Sequence, residues 1–250
     1  MLQDQPVKPP PGWPKLPQST KQPPNDAKCP DSFLIAARGS GENPVDAPNN
    51  LNRKGEKSAL SVMYDQLNSP KGTTGVHGSD YPAKKALVFA TESNLFSKSL
   101  SPSAKDAAKK LVKVLRAQVE ACEGQKIYLA GYSQGAAIIR EVLNSAPELH
   151  DSISGIVLFG DAVLFGKKLP SGLEHKTLNI CVAGDPVCVV APENWNSCLA
   201  YSPSCPHFSY ATKPEDGPSQ ASVAAALITC EPCRLPITPG ASAPRLGPRG

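Results

Sequence analysis

The feature that most constrains the fold is a Gly-x-Ser-x-Gly motif, Gly131-Tyr132-Ser133-Gln134-Gly135. The apolar run that precedes it predicts a β-strand, and the periodic apolar run that follows it predicts an α-helix. A tight turn between such a strand and helix strains the backbone of the serine and projects its hydroxyl clear of the sheet. Glycines flank the turn because side chains at these two positions would collide with neighbouring backbone. The pattern therefore predicts a nucleophilic Ser133.

A nucleophilic serine requires a base, and the sequence offers four histidines. We call the strand-to-helix turn that carries Ser133 the elbow. In proteins whose nucleophile lies on such an elbow, the order along the chain is serine, acid, histidine. His77 precedes Ser133, and His150 follows the elbow helix, a position typical of a cation that faces the last helical carbonyls. His175 leaves few acids between itself and the serine. His207 follows all the good acid candidates and is the predicted base.

Two aspartates are candidates for the acid that orients the histidine, because Asp161 and Asp185 each follow an apolar run. Asp185 has the better context, since Cys181 and Cys188 enclose it in a short loop that a disulfide could close. A rigid loop would hold the carboxylate in place against an imidazole. An aspartate in an ordinary Asp-Pro turn is the alternative interpretation.

Eight cysteines predict four disulfides and an oxidising compartment. Their number alone allows 105 connectivities. Cys230 and Cys233 could also form half of a zinc site or a redox pair, which we disfavour in an exported protein. The polar, proline-rich segment after Met1 lacks the apolar core of an export signal, so we expect a mature or trimmed chain.

The composition is that of a single enzyme-sized domain with two tails. With 250 residues and 40% hydrophobic content, the chain can bury one substantial core. The segments 1–28 and 234–250 carry formal charges of +2 and +3, so of the total of +4 about −1 remains for the body between them. No basic stripe with interleaved aromatics is present, which argues against a nucleic-acid partner. The tails would favour an anionic cell surface weakly, and solvated linker charge is the simpler interpretation.

The body alternates predicted strands and helices. Residues 1–28 form a proline-rich tail or linker, and residues 234–250 form a second tail rich in Pro, Gly and Arg. We predict strands at 33–38, 86–90, the elbow, 153–159 and 177–183. Helices are predicted at 55–67, at 103–122 with Ser103 as N-cap, after the elbow until Pro147, and at about 219–230. Near-continuous apolar strands predict a parallel sheet that is covered on both faces.

Four segments of the chain resemble the cutinases, compact serine esterases of the α/β-hydrolase fold that lack a large lid. They are the stretch from Cys29 to Glu42, the Ser133 motif, the loop that holds Asp185, and His207. The resemblance covers roughly residues 29–230, suggests an actinobacterial-type member, and implies a catalytic domain at 29–233. The implied fold is an α/β class, three-layer α/β/α sandwich with a central five-stranded parallel sheet.

The resemblance also implies roles for single residues. Ser133 would be the nucleophile, His207 the general acid and base, and Asp185 its orienter. The backbone amides of Ser40 and Gln134 would form the oxyanion hole, with the Ser40 hydroxyl as a further donor. The position of Gln134 agrees, because the first N–H groups of a helix are unpaired and lie at its positive end. Ser40 taken alone would be an ordinary turn serine.

Two disulfides are implied by the resemblance, Cys29–Cys122 and Cys181–Cys188. The pairing of the other four cysteines stays open: Cys198, Cys205, Cys230 and Cys233. Three apolar side chains near the triad predict an acyl-binding rim: Val187, Val189 and Phe208. Core packing explains the two valines equally well.

The sequence thus predicts a secreted, monomeric serine carboxylic-ester hydrolase that acts on acyl esters, lipids or aliphatic polyesters. No metal or organic cofactor is implied, and peripheral association with the cell envelope would fit the tails. One alternative is an acetylxylan-type esterase of the same fold. Another is a non-catalytic binding protein with a hydrolase body, but folding alone does not require Ser133, Asp185 and His207 together.

Overall fold

The structure is a computed structural model. It describes residues 29–42, 58–68, 74–79, 81–85, 92–93, 99–162, 166–188, 198, 202, 204–213 and 217–230. Both predicted tails, the predicted strand at 86–90, the start of the predicted helix at 55–67, Val189 and Cys233 lie outside these residues.

The centre of the fold is a five-stranded parallel sheet, as the sequence predicts. Its strands are β1 (Ser32–Ala37), β2 (Thr74–Gly78), β3 (Lys126–Tyr132), β4 (Ile153–Phe159) and β5 (Thr177–Ile180). They lie in the order β2-β1-β3-β4-β5. The described helices are α1 (Ala59–Asn68), α2 (Pro102–Ala121), α3 (Gln134–Ser145) and α4 (Gln220–Thr229). Short 3-10 turns occur at Pro147–Ser152, Glu174–Lys176 and Pro206–Phe208.

Helices cover the sheet on both faces, which confirms the three-layer sandwich. Alternate residues of one strand enter different cores, because successive side chains point to opposite faces. In β3, Leu129 packs in the core beneath α2 and α3, whereas Ala130 packs in the core beneath α1 and α4. Both residues are fully buried. This explains why the strands read as continuous apolar runs.

The described sheet contains one strand that the sequence did not indicate, Thr74–Gly78, a segment with little apolar pattern. One local prediction needs correction. The long helix has Ser101 rather than Ser103 as its N-cap, because the Ser101 side chain accepts the Ala104 N–H. Pro102 occupies the first helical turn, where its missing N–H costs nothing.

The strand order positions the site. After β1 the chain adds β2 on one side, and after α2 it returns to place β3 on the other side of β1. Ligands of open α/β sheets bind beyond the carboxyl ends of the strands where the order reverses. Ser40 follows β1 and Ser133 follows β3, so both lie at this switch point.

Disulfides close the chain at three described places. Cys29–Cys122 and Cys181–Cys188 are the two pairs that the resemblance implies, and the structure adds Cys198–Cys205. Cys230 is also disulfide-bonded. None of the helices in the described ranges is long and apolar enough to cross a membrane.

Candidate active site

Ser133 occupies a strained turn between β3 and α3. Its φ of 55° and ψ of −118° lie in a region that residues other than glycine rarely adopt. The Ser133 N–H donates to the Phe159 carbonyl at 2.8 Å and ties the turn to β4. A Cβ on Gly135 would lie 1.8 Å from the Ala37 carbonyl oxygen, and one on Gly131 would lie 2.6 Å from the main chain of α3. The two glycines therefore allow the turn to close, as the motif predicts.

Asp185 and His207 form a hydrogen-bonded pair. His207 Nδ1 donates to Asp185 Oδ2 at 2.8 Å, and the Asp185 side chain is completely buried. Burial alone would raise the pKa of Asp185, but hydrogen bonds and charge from His207, with bonds from Tyr210 and Val187, hold it below its usual value. The carboxylate is therefore ionised, and it fixes the proton of the imidazole on Nδ1. His207 Nε2 is left to accept a proton.

Asp161, the other candidate acid, lies elsewhere. It forms a buried ion pair with Arg140 at 3.1 Å, and burial raises its pKa. Arg140 also donates to the carbonyls of Ala162 and Lys167. Asp161 therefore fixes the end of β4 to α3 through Arg140. Within the described residues, it forms no hydrogen bond with a histidine.

His207 contacts the strand-to-helix turn through Tyr132, the residue before Ser133. The ring of Tyr132 stacks on the His207 imidazole with 5.0 Å between centroids, and its hydroxyl donates to the His207 carbonyl at 2.7 Å. A hydrogen bond between Ser133 Oγ and His207 is not among those of the described residues. Bonds of this kind are often long in a free enzyme and tighten when substrate binds.

Ser40 and Gln134, the two predicted oxyanion-hole residues, are in direct contact. Gln134 Nε2 donates to Ser40 Oγ at 3.0 Å and to the Lys84 carbonyl at 3.1 Å. Within the described part of the chain, neither backbone N–H of the two residues donates a hydrogen bond. The Ser40 hydroxyl accepts a bond from Gln134, so its own proton can be donated. Two amides and a hydroxyl are thus available for an oxyanion.

A buried carboxyl supports the Ser40 loop, and the sequence analysis missed its role. Glu42 Oε2 accepts the Gly39 N–H at 3.0 Å, and the Glu42 side chain is buried. Burial raises the pKa of Glu42 to about 7, although the Gly39 bond and the Arg38 charge act in the opposite direction. Arg38 itself donates to the Ser79 and Tyr81 carbonyls. The sequence signal that could have indicated this role is the occurrence of Glu42 close to Arg38 in a glycine-rich loop.

Tyr210 is a second residue that the sequence analysis missed. Its hydroxyl donates to Asp185 Oδ2 at 2.6 Å. Its position three residues after His207 gave no indication of this contact, which depends on how the His207 loop folds back over β5.

The remaining candidates occupy varied environments. Val187 is half-buried and packs against the core beneath α2 and α3. The Phe208 ring lies 5.9 Å from the His207 imidazole. His150 Nε2 donates to the Leu143 carbonyl at 2.8 Å, which confirms its predicted position against the end of the elbow helix. His77 lies within β2, in register with Ile35.

Comparisons with known proteins identify relatives of the whole body. The Cutinase family profile matches residues 28–216. Phospholipase Culp4 of Mycobacterium tuberculosis is 32% identical over 197 residues, which cover 72% of this chain and 76% of that protein. Carboxylesterase Culp1 of the same organism is 29% identical over 174 residues, 64% of this chain and 69% of that protein. The structure of Trichoderma reesei cutinase with a C11Y4 phosphonate inhibitor matches with a TM-score of 0.56 at 23% identity, and the match covers 83% of this chain and 78% of that one.

The parallel sheet with a strained serine between β3 and α3 defines an α/β hydrolase, and the fungal cutinase shares this fold. The family match spans most of the chain. The protein therefore belongs to the cutinase family, whose members are ester-hydrolysing serine hydrolases.

Proposed function

We propose that the protein is a secreted carboxylic-ester hydrolase in which Ser133, His207 and Asp185 form the catalytic triad. The observation that carries the proposal is the buried Asp185–His207 hydrogen bond, held by Tyr132 against the strained serine turn. This bond leaves Nε2 of His207 as the proton acceptor that a serine nucleophile requires.

The reaction would proceed in two halves. Ser133 Oγ attacks the ester carbonyl while His207 takes its proton, and the imidazolium then protonates the departing alcohol. Water, deprotonated by the same histidine, then attacks the acyl-enzyme, and the imidazolium returns the proton to Ser133 Oγ as the carboxylic acid leaves. Asp185 stays ionised throughout and stabilises the imidazolium, which agrees with its lowered pKa.

The oxyanion of each tetrahedral intermediate would bind between the Ser40 and Gln134 backbone amides. Preorganised donors of this kind are typically worth 10²–10³ in rate each. The Gln134 side chain bond to Ser40 supports the proposal, because it fixes the loop after β1 against the start of α3. The same bond orients the Ser40 hydroxyl as a third donor.

The proposed substrates are acyl esters, lipids or aliphatic polyesters. The relatives named phospholipase, carboxylesterase and cutinase support this range. The half-buried Val187 and the Phe208 ring beside His207 would supply the apolar rim for the acyl chain. Disulfides support secretion, and the basic tail segments would allow peripheral contact with the cell envelope.

The test combines a substrate series with a nucleophile variant. Hydrolysis of p-nitrophenyl esters from acetate to palmitate would be measured for the wild type, Ser133→Ala and the matched control Ser145→Ala, which alters an exposed serine at the end of α3. We expect Ser133→Ala to lose on the order of 10³-fold or more in rate, and to lose labelling by a fluorophosphonate.

The control should retain both activity and labelling. A loss below about tenfold for Ser133→Ala would refute the nucleophile assignment. A rate confined to acetate would favour the acetylxylan-type alternative over longer acyl esters. A folded wild type without labelling or hydrolysis would favour the binding-protein alternative.

A further inference from the structure

One oxygen of Asp185 receives two hydrogen bonds. Oδ2 accepts from His207 Nδ1 at 2.8 Å and from the Tyr210 hydroxyl at 2.6 Å. Oδ1 accepts the Val187 N–H at 2.8 Å. The triad mechanism uses only the first of these bonds, so the Tyr210 bond needs its own explanation.

The direction of the Tyr210 bond follows from its other partner. The Val182 N–H points at the Tyr210 oxygen at 3.1 Å, and a backbone N–H can only donate. The phenol oxygen therefore accepts there and directs its single proton to Asp185. Burial, and then the negative charge of Asp185, raise the pKa of Tyr210, so the phenol remains a neutral donor. Cys188 Sγ lies 3.5 Å away, but a disulfide sulfur is a much weaker acceptor than a carboxylate.

The phenol is also held rigidly. Tyr210 is 1% exposed, and its ring meets the rings of Tyr132 and Phe159 edge-on at 5.9 Å each. Its carbonyl accepts the Ala221 N–H at 3.1 Å in the first turn of α4. Tyr210 is thus fixed by β3, β4 and α4, which are elements of the rigid sandwich, whereas Asp185 lies in a loop.

We propose that Tyr210 is a positioning residue that fixes the Asp185 carboxylate and, through it, the orientation of the His207 imidazole. The inference rests on the proposed triad. Without the phenol, Oδ2 would be held by His207 alone and the rest of the carboxylate by the Val187 N–H on Oδ1. Movement of Oδ2 about that remaining bond would carry the imidazole away from Ser133. Small misplacements of this kind slow catalysis strongly, while the binding of the acyl chain is left unchanged.

The first test compares Tyr210→Phe with Tyr128→Phe. Tyr128 is buried in the same core beneath α1 and α4, but it lies near the amino end of β3, far along the strand from the elbow. Using p-nitrophenyl butyrate, we expect Tyr210→Phe to lower kcat roughly tenfold at unchanged KM, the effect of losing one hydrogen bond to a charged group. Tyr128→Phe should stay within about twofold of the wild type.

The second test is a double-mutant cycle with Asp185→Asn. If Tyr210 acts through Asp185, Tyr210→Phe should add less than about twofold to the loss that Asp185→Asn already causes, because residues that act as a unit are not additive. Fluorophosphonate titration of active sites, carried to its end point by long incubation because triad variants react slowly, would normalise kcat to correctly folded enzyme in all variants.

Three results would overturn the inference. These are a wild-type kcat for Tyr210→Phe, a loss explained by fewer titratable sites, or a full tenfold effect retained in the Asp185→Asn background. Failure of the proposed function itself would look different, since Ser133→Ala would then remain active.

Discussion

The strained backbone of Ser133 makes a prediction about stability as well as activity. Ser133→Ala and Ser133→Gly both remove the hydroxyl, so both should be inactive, but only glycine adopts φ of 55° with ψ of −118° without strain. Such strain costs about 1–3 kcal/mol for a residue with a Cβ. Glycine loses about 0.5–1 kcal/mol more backbone entropy on folding. The glycine variant should therefore be the more stable, by up to about 2.5 kcal/mol.

The assay is urea unfolding of both variants, with thermal unfolding as a second measure. One kcal/mol corresponds to a Tm difference of about 2–4 °C for a domain of 150–250 residues. The matched control is Ser103 in the first turn of α2, where φ is not positive and glycine should be the less stable by roughly 0.5–1 kcal/mol. The reasoning is refuted if glycine is less stable than alanine at position 133 by the same margin as at position 103.

Three further predictions concern the site. Asp185→Asn should reduce kcat far more than Asp161→Asn, because only Asp185 contacts the imidazole. If kcat per titrated active site fell more in Asp161→Asn, the orienting role would belong to Asp161. The double substitution Cys181→Ser/Cys188→Ser should lower activity without a change in far-UV circular dichroism, because the Cys181–Cys188 loop stabilises the fold by only about 2 kcal/mol but restrains Asp185. Activity equal to that of the wild type, or a loss that appears only together with a loss of dichroism, would contradict this. Glu42 should destabilise the fold as pH rises. Its folded pKa of about 7 exceeds the ordinary glutamate value of 4.5, so the free energy of unfolding should fall by about 3 kcal/mol between pH 4.5 and 8 relative to Glu42→Gln. A constant difference from that variant in urea unfolding at both pH values would refute this.

Much of the fold was predictable because its central strands are buried on both faces. β1, β3 and β4 carry uninterrupted apolar runs, and the elbow helix has a clear apolar period. β2 was not predictable, since Thr74-Gly75-Val76-His77-Gly78 has one aliphatic residue and two glycines. Among the described strands it lies at the edge of the sheet and pairs with β1 alone, so its sequence is less constrained by burial.

The candidate site shows the same division between local pattern and tertiary contact. Chain order and loop chemistry predicted the contact of Asp185 with His207, which the structure shows as a hydrogen bond. The bonds of Tyr210 to Asp185 and of Glu42 to Gly39 depend on how loops fold over the sheet, and no spacing rule indicates them. The Cys198–Cys205 pair was open for the same reason.

The Cys29–Cys122 disulfide has a consequence for how the centre of the sheet assembles. β1 and β3 pair from Ser32 with Lys126, so Cys29 lies three residues before this ladder on one strand and Cys122 four residues before it on the other. Closing a loop of this length costs the unfolded chain about 4–5 kcal/mol. In the oxidised chain the disulfide has already closed this loop, so its closure entropy no longer opposes folding. The disulfide also holds the starts of the two strands side by side in register. The strand that carries the nucleophile therefore pairs with β1 as if it were a near neighbour in sequence, and refolding should be much faster with this bond formed than without it.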